Sequence, residues 1–206
     1  MPSHQLFRPV VLCASLLMWG ASHATQASHQ PDQFARNFDG LHWTDTAGRN
    51  FLAQSLTGQV VLYHFIYTGC ATVCPTQTQA LTRVVDGLPA HVRNRVRIVS
   101  VSIDPWGDTA AGLRAYARRL GADRPRWQFV RASVQDTDQL AQRLRLWPRT
   151  APGRAAEPTT HTTALWLVDP QGRLRMRYDG RQPDVRRLTQ EIAALATAPH
   201  PSASGT

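Results

Sequence analysis

Residues 60–75 read VVLYHFIYTGCATVCP, and this stretch decides the fold. Its first part, Val60 to Ile66, is a continuous run of apolar, aromatic and β-branched side chains interrupted by one histidine. Such a run predicts a strand that is covered on both faces. A short loop with Cys70 and Cys74 follows, and a helical pattern begins at Pro75. The stretch therefore predicts a strand, a loop with two cysteines, and a helix, in that order.

Apolar runs and turn signals alternate along the rest of the chain. A polar turn at residues 45–48 separates two short apolar segments and predicts an N-terminal β-hairpin. Periodicity predicts strands over 60–66, 96–103, 127–130, 163–168 and 174–178, and helices over 75–85, 109–121, 135–146 and 185–195. This order predicts a three-layer α/β domain with a mixed central sheet. Residues 147–160 show no periodicity, which indicates a long loop.

Composition limits the classes of protein to which the chain can belong. With 206 residues, 42% of them hydrophobic and 18% charged, it fits one globular domain and is too apolar for a disordered segment. All 23 basic residues are arginine, and the net charge is +9. The arginines are scattered without interleaved aromatic residues, which argues against nucleic acid as a partner. We interpret them as a composition bias that also favours encounters with an acidic partner or a membrane surface.

The first residues predict export. Arg8 precedes an apolar run over residues 9–20, which is shorter than a membrane span, and Ser22 and Ala24 resemble a cleavage site. We expect a signal peptide at 1–24, with retention as an uncleaved anchor as the alternative. The remaining organisation is expected to be a polar lead at 25–36, the folded domain at 37–198 and a disordered tail at 199–206.

The cysteines are the feature most indicative of chemistry. Cys13 lies in the apolar run of the signal, so the exported chain would keep only Cys70 and Cys74. In an oxidising compartment such a pair can form a disulfide, a redox couple or a metal site. A purely structural disulfide is the plain alternative, but closing so short a loop stabilises a protein little.

The position and spacing of the cysteines favour a functional role. Cys74 is expected at or next to the N-cap of the helix, where the positive end of the helix dipole favours a thiolate. Two cysteines separated by two residues are the usual redox arrangement, whereas the three-residue spacer here lets both sulfurs converge on something between them. Thiolates favour soft ions such as Cu(I), and two sulfurs leave such an ion in need of a third ligand.

Three histidines are candidates for that ligand. His42 lies in the predicted hairpin, His64 lies inside the buried strand, and His161 stands at the entrance of the strand predicted over 163–168. A histidine inside a buried strand is more often a hydrogen-bonded core residue than a ligand. The residues alone leave all three open.

Three motifs resemble those of the Sco/SenC copper-assembly proteins. Residues 65–75 match the pattern F-x-Y-T-x-C-x-x-x-C-P, residues 102–109 match S-x-D-P-x-x-D-T, and residues 161–172 match a histidine followed by apolar residues and D-P-x-G. The matches lie in the family's order between Leu41 and Leu195. The commonest family motif has proline and then often aspartate after the first cysteine, where this chain has Ala71 and Thr72.

The resemblance implies a thioredoxin-like fold and a copper chaperone. It implies that Cys70, Cys74 and His161 bind one copper ion, as Cu(I) or Cu(II), that Cys70 and Cys74 also form a redox-active pair, and that Asp104 supports the site without binding the metal. The implied activity is periplasmic delivery of copper to a respiratory oxidase centre of the CuA type, or reduction of its cysteines. The implied partners are the copper-receiving oxidase subunit and a thioredoxin-like reductant. A thiol-disulfide oxidoreductase or thiol peroxidase is the alternative.

Overall fold

The computed structural model of the protein describes residues 33–147 and 162–198. The strands are β1 Trp43–Asp45, β2 Asn50–Phe51, β3 Val60–Ile66, β4 Val96–Ser102, β5 Trp127–Ala132, β6 Leu165–Val168 and β7 Leu174–Tyr178. The helices are α1 Val73–Gly87, α2 Ala90–Arg93, α3 Ala110–Arg119, α4 Val134–Leu144 and α5 Val185–Thr197. Short 3₁₀ turns at Phe34–Phe38 and Ala53–Leu56 precede β1 and β3.

The seven strands form one mixed sheet in the order β2-β1-β5-β4-β3-β6-β7. The central strands β3, β4 and β5 are parallel, and β6, β7, β1 and β2 add antiparallel pairs at the two sides. Val60 pairs with Val96 and Ile66 pairs with Ser102, so β3 and β4 end side by side. The loops after these two strands therefore leave the same edge of the sheet.

Helices and turns cover both faces of the sheet. Alternate residues of β3 pack against different cores, since Leu62 lies in one hydrophobic cluster and Tyr63 in the other. The first cluster includes the apolar faces of α1, α3 and α5, and the second includes α4 and the aromatic residues of the N-terminal segment. Because β3 is buried at every residue, it reads as a continuous apolar run in the sequence. The predicted α/β class, mixed sheet and N-terminal β-hairpin are confirmed.

The start of α1 differs from the expected one. The helix begins at Val73 with Thr72 at its N-cap, so Cys74 is the second helical residue and Pro75 the third. Proline is tolerated there because the N–H groups of the first turn have no partner within the helix. The helix also includes Gly87, which we expected to follow it.

The N-terminal segment contributes more to the core than its polarity indicates. Phe34, inside the segment expected as a polar lead, is buried, and its ring lies 4.6 Å from that of Tyr63. Phe38 stacks on the same tyrosine at 5.7 Å. Two aromatic residues spaced four apart in a short 3₁₀ turn are too few for a periodicity argument, which is why sequence reasoning missed this element.

The predicted signal peptide at 1–24, most of the 147–160 loop and the tail at 199–206 lie outside the described residues. Within residues 33–147 and 162–198, no helix is both long and apolar enough to cross a membrane.

The turn between β6 and β7 is built around Asp169. This aspartate is 2% exposed, and its carboxylate accepts hydrogen bonds from the backbone N–H groups of Gln171 and Arg173, both at 2.9 Å. The Arg173 side chain donates to the second carboxylate oxygen at 2.8 Å. Gly172 completes the turn with a φ of 78°, a backbone conformation that favours glycine. One side chain therefore fixes the register of this hairpin.

Replacing Asp169 by alanine should lower the free energy of unfolding by about 2–4 kcal/mol, because the hydrogen-bond donors of the turn lose a buried charged acceptor. Urea denaturation of Asp169→Ala measures this loss. Asp138→Ala, at an exposed position of α4, is the matched control and should change the stability by less than about 0.5 kcal/mol. Equal stabilities for the two variants would contradict this account of the turn.

Candidate metal site

The two cysteines lie where β3 gives way to α1. The loop after β3 is held beside the loop after β4 by a hydrogen bond from the Ile103 N–H to the Ile66 carbonyl at 2.9 Å. Within the first loop, the Cys70 N–H donates to the Tyr67 carbonyl at 3.2 Å. The sequence folds this way because a buried parallel strand must end at a turn before an amphipathic helix can pack back onto the sheet.

The Cys70 sulfur takes the place of a capping side chain for α1. It accepts the Cys74 backbone N–H at 3.3 Å and also the backbone N–H of Thr72. Thr72 itself, at the N-cap, makes no side-chain capping bond. The sulfur therefore satisfies N–H groups that the first helical turn leaves without partners.

The Cys70 thiolate is stabilised by these donors. Partial burial favours the neutral thiol, but the N–H groups of Cys74 and Thr72, the Cys74 thiol and the Tyr67 hydroxyl together hold the pKa of Cys70 below its usual value. Burial and the neighbouring thiols raise the pKa of Tyr67 to about 12, so its hydroxyl keeps the proton that it donates.

Cys74 has the opposite environment. Its side chain is 0% exposed and packs in the core cluster between the sheet and α1. Burial raises the pKa of this thiol well above the usual value, and the nearby Cys70 sulfur and Asp108 add to the rise. Both cysteines are free thiols in the structure. The pair therefore consists of a partly exposed cysteine with a lowered pKa and a buried cysteine with a raised pKa.

Asp108 anchors the cysteine loop and was not among the predicted site residues. It is 1% exposed, and one carboxylate oxygen accepts both the backbone N–H of Thr68 at 2.9 Å and its hydroxyl at 2.6 Å. The other oxygen accepts the Ser102 hydroxyl at 2.6 Å. Asp108 does not cap the helix that follows it, because Thr109 caps α3 by accepting the Gly112 N–H. Its place in the S-x-D-P-x-x-D-T motif was the available signal.

Asp104, the predicted supporting residue, lies on the neighbouring loop. Its carboxylate accepts the Gly107 N–H at 2.9 Å, and its charge contributes to the raised pKa of Tyr67. Asp104 therefore acts on Tyr67 only through its charge, whereas Asp108 is hydrogen-bonded to the cysteine loop itself. The supporting role of Asp104 remains a prediction.

The histidines differ in their surroundings. His42 is exposed just before β1, and His64 is fully buried and hydrogen-bonded to Gln77 at 2.9 Å, as expected for a core histidine. His161 lies outside the described residues. In residues 33–147 and 162–198, no three His, Cys, Asp or Glu side chains form a group that could hold a metal ion. The third-ligand role of His161 thus remains a prediction.

The fold and the cysteine pair define a thioredoxin-like domain with a dithiol at the start of a helix. The family model for SCO1/SenC matches residues 26–197, and the chain belongs to this family. The Sco/SenC resemblance and the fold class inferred from the sequence are therefore confirmed.

Relatives and a solved structure agree with this assignment. The SCO1 protein homolog of Bacillus subtilis (strain 168) is 29% identical over 133 residues, which cover 65% of this chain and 68% of the relative. A candidate copper-binding protein of Stutzerimonas stutzeri is 27% identical over 151 residues, covering 69% of this chain and 72% of the relative. The structure of BsSco superimposes on this one with a TM-score of 0.62 at 26% sequence identity. The matched residues cover 76% of this chain and 91% of the BsSco chain. BsSco is described as a member of the Sco family of cytochrome c oxidase assembly proteins with a disulfide switch.

The two thiols should react with iodoacetamide at very different rates. A lowered pKa leaves Cys70 as thiolate at a lower pH, so its alkylation rate should rise through a midpoint below the value of about 8.5 for a free cysteine. Cys74 should react slowly over the same range because it is buried and protonated.

Mass spectrometry of the reduced protein against pH measures both rates. Cys74→Ser should keep the fast reaction and Cys70→Ser should lose it. Equal rates at the two positions, or a fast reaction that survives in Cys70→Ser, would contradict this assignment of thiolate and thiol.

Proposed function

We propose that this protein binds one copper ion through Cys70, Cys74 and His161 and delivers it to a copper centre of a respiratory oxidase. The observation that carries the proposal is the pair of reduced cysteines where the loop meets α1, in which the Cys70 sulfur accepts the Cys74 backbone N–H at 3.3 Å. This bond keeps the two cysteines together at the start of the helix, where two sulfurs can share a soft ion. The candidate copper-binding relative and the oxidase-assembly role described for the Sco family support this cargo and this partner.

The donor set fits Cu(I) better than a hard cation. Thiolates and imidazole favour copper and zinc, whereas magnesium and calcium favour carboxylate and carbonyl oxygens. Asp108 does not compete for the ion, because its carboxylate oxygens are occupied by Thr68 and Ser102. Its part is to hold the loop in place while Cys70 and Cys74 take up the metal.

Copper uptake requires a proton to leave Cys74. Its raised pKa means that the free protein holds this proton at neutral pH, so each ion that binds releases it. Acid therefore opposes binding at Cys74 and at the imidazole of His161. We expect copper affinity to fall as the pH is lowered.

The same pair can reduce a disulfide of the partner. The Cys70 thiolate attacks one partner sulfur and releases the other as a thiolate, giving a mixed disulfide. Cys74 then loses its proton and attacks the Cys70 sulfur, which frees the second partner thiolate and leaves a Cys70–Cys74 disulfide. The partner gains two electrons and this protein loses two, so a thioredoxin-like reductant must restore the thiols. The lowered pKa of Cys70 and the disulfide switch described for BsSco favour this second activity.

The proposal places the protein in the periplasm. The export segment predicted over residues 1–24 supports this location, and an uncleaved segment would anchor the domain to the membrane. Cys70 is partly exposed, and Trp106 is 83% exposed on the loop after β4. The cysteine edge of the sheet therefore leaves room for a protein partner.

Removing any one ligand should weaken Cu(I) binding by at least about tenfold. Mutation of groups that only orient a metal ligand already lowers metal affinity by about 10- to 100-fold. Competition between the reduced protein and a Cu(I) chelator measures this for Cys70→Ala, Cys74→Ala and His161→Ala. His42→Ala, an exposed histidine outside the site, is the matched control and should bind as the wild type does.

An unchanged affinity in His161→Ala would contradict the three-ligand site. Rapid turnover of peroxide by the metal-free reduced protein, with no measurable copper binding, would favour the thiol peroxidase instead.

A further inference from the structure

Trp106 is the most exposed large hydrophobic residue among residues 33–147 and 162–198. It is 83% exposed, whereas Leu52 and Met176, the other large hydrophobic residues on the surface of this part of the chain, are 63% and 38% exposed. Single exposed apolar residues are common on proteins, so exposure alone assigns no role to any of them. What sets Trp106 apart is the place where it lies and the way it is held.

The turn that carries Trp106 spans residues 105–107, after the end of β4. Asp104 closes this turn with two hydrogen bonds. Its carboxylate accepts the Gly107 N–H at 2.9 Å, and its backbone carbonyl accepts the Asp108 N–H at 2.9 Å. A Cβ atom at Gly107 would overlap the Asp104 carboxylate, so this close approach requires glycine. The indole of Trp106 is therefore carried by a tight, hydrogen-bonded turn.

The same turn is tied to the loop that carries Cys70. Asp108, directly after the turn, accepts both the backbone N–H and the hydroxyl of Thr68, two residues before Cys70. Ser102 joins both ends of the turn, because its hydroxyl donates to the Asp108 carboxylate at 2.6 Å and accepts the Asp104 N–H at 3.4 Å. The exposed indole and the partly exposed thiol therefore belong to one hydrogen-bonded unit at the same edge of the sheet.

A protein that exchanges a disulfide with Cys70 must cover this edge of the sheet. The exchange requires contact between the Cys70 sulfur and a sulfur of the partner, so the partner surface around that sulfur comes to lie over the neighbouring turn. Tryptophan is enriched among the residues that carry most of the energy of protein interfaces. A side chain on a rigid turn also loses less conformational entropy when it is buried by a partner. Position and rigidity thus favour a contact between Trp106 and the partner.

We propose that Trp106 is a docking residue whose indole enters an apolar pocket beside the disulfide of the protein partner. The inference rests on the proposed function, in which the partner is the copper-receiving domain of a respiratory oxidase. It adds the feature by which this protein distinguishes the disulfide of a folded partner from a small disulfide. Trp106 takes no part in the exchange of bonds at Cys70, so its contribution is to binding and specificity.

The test compares two substrates that carry the same disulfide. One is the soluble copper-centre domain of the oxidase from the same organism, with its two cysteines oxidised to a disulfide. The other is a synthetic peptide that contains only the disulfide loop of that domain. Trp106→Ala in the reduced full chain should lower the second-order rate of reduction of the domain by at least about tenfold, as expected for an interface hot spot. The ratio of the domain rate to the peptide rate should fall by the same factor, because the peptide lacks the pocket.

Two further variants separate the indole from the turn that presents it. Trp106→Phe keeps an aromatic ring and should lower the ratio less than Trp106→Ala does. Gly107→Ala forces the turn away from Asp104 and should lower the ratio although the indole is still present. Leu52→Ala is the matched control, because Leu52 is also exposed but follows β2, four strands away from β3 in the sheet. This control should keep the wild-type ratio.

A trapped complex shows directly whether the partner covers the indole. Cys74→Ser cannot resolve the mixed disulfide, so Cys70 stays bonded to the oxidised domain. Acrylamide should quench less tryptophan fluorescence in this complex than in the two separate proteins at the same concentrations. The difference should disappear when Cys74→Ser is combined with Trp106→Phe.

The outcomes distinguish the docking role from the proposed function. An unchanged ratio in Trp106→Ala, or an equal decrease of quenching with and without Trp106, would overturn the docking role and leave the reduction of the partner intact. A wild-type protein that reduces the peptide but not the folded domain would contradict the proposed partner, and the docking role with it.

Discussion

The site depends on the hydrogen bonds that the first turn of α1 makes with the Cys70 sulfur. Helix α1 begins without a capping side chain at Thr72, and the Cys74 N–H is satisfied at 3.3 Å by the sulfur of Cys70. The donors that this sulfur satisfies also favour its thiolate form, which lowers the pKa of Cys70. One contact therefore caps the helix and also makes the thiol more reactive. Asp108 holds the loop that carries Cys70 in place through its bonds to Thr68.

The contrast between the two cysteines shows how one dithiol would serve the two activities that we propose. The lowered pKa of Cys70 favours the thiolate form, which would attack a disulfide or take up a soft ion, whereas the raised pKa of Cys74 keeps its proton in place until the first step has occurred. In disulfide exchange, that proton leaves when Cys74 resolves the mixed disulfide. In copper binding, it leaves when the ion arrives. Loss of the Cys74 proton is thus a step that both proposed reactions require.

The sequence predicted the strand at 60–66 and the cysteine loop because burial on both faces and a helix start leave strong local signals. It could not show that the helix begins at Val73, since the cap is a sulfur rather than a usual capping side chain. It also missed the buried role of Asp108, because a bond to Thr68 spans 40 positions in the chain and leaves no periodic pattern. The sequence also missed the hydrogen bond between His64 and Gln77 for the same reason, and it left open whether His64 is a core residue or a ligand.

The central claim is that one copper ion is held by two sulfurs and one imidazole. X-ray absorption spectroscopy of the reduced protein loaded with one equivalent of Cu(I) tests it directly, because the scattering shells distinguish sulfur from nitrogen neighbours. We predict two sulfur neighbours and one imidazole nitrogen in the wild type, with the nitrogen shell lost in His161→Ala. A wild-type spectrum with sulfur neighbours only, or one unchanged by His161→Ala, would contradict the account.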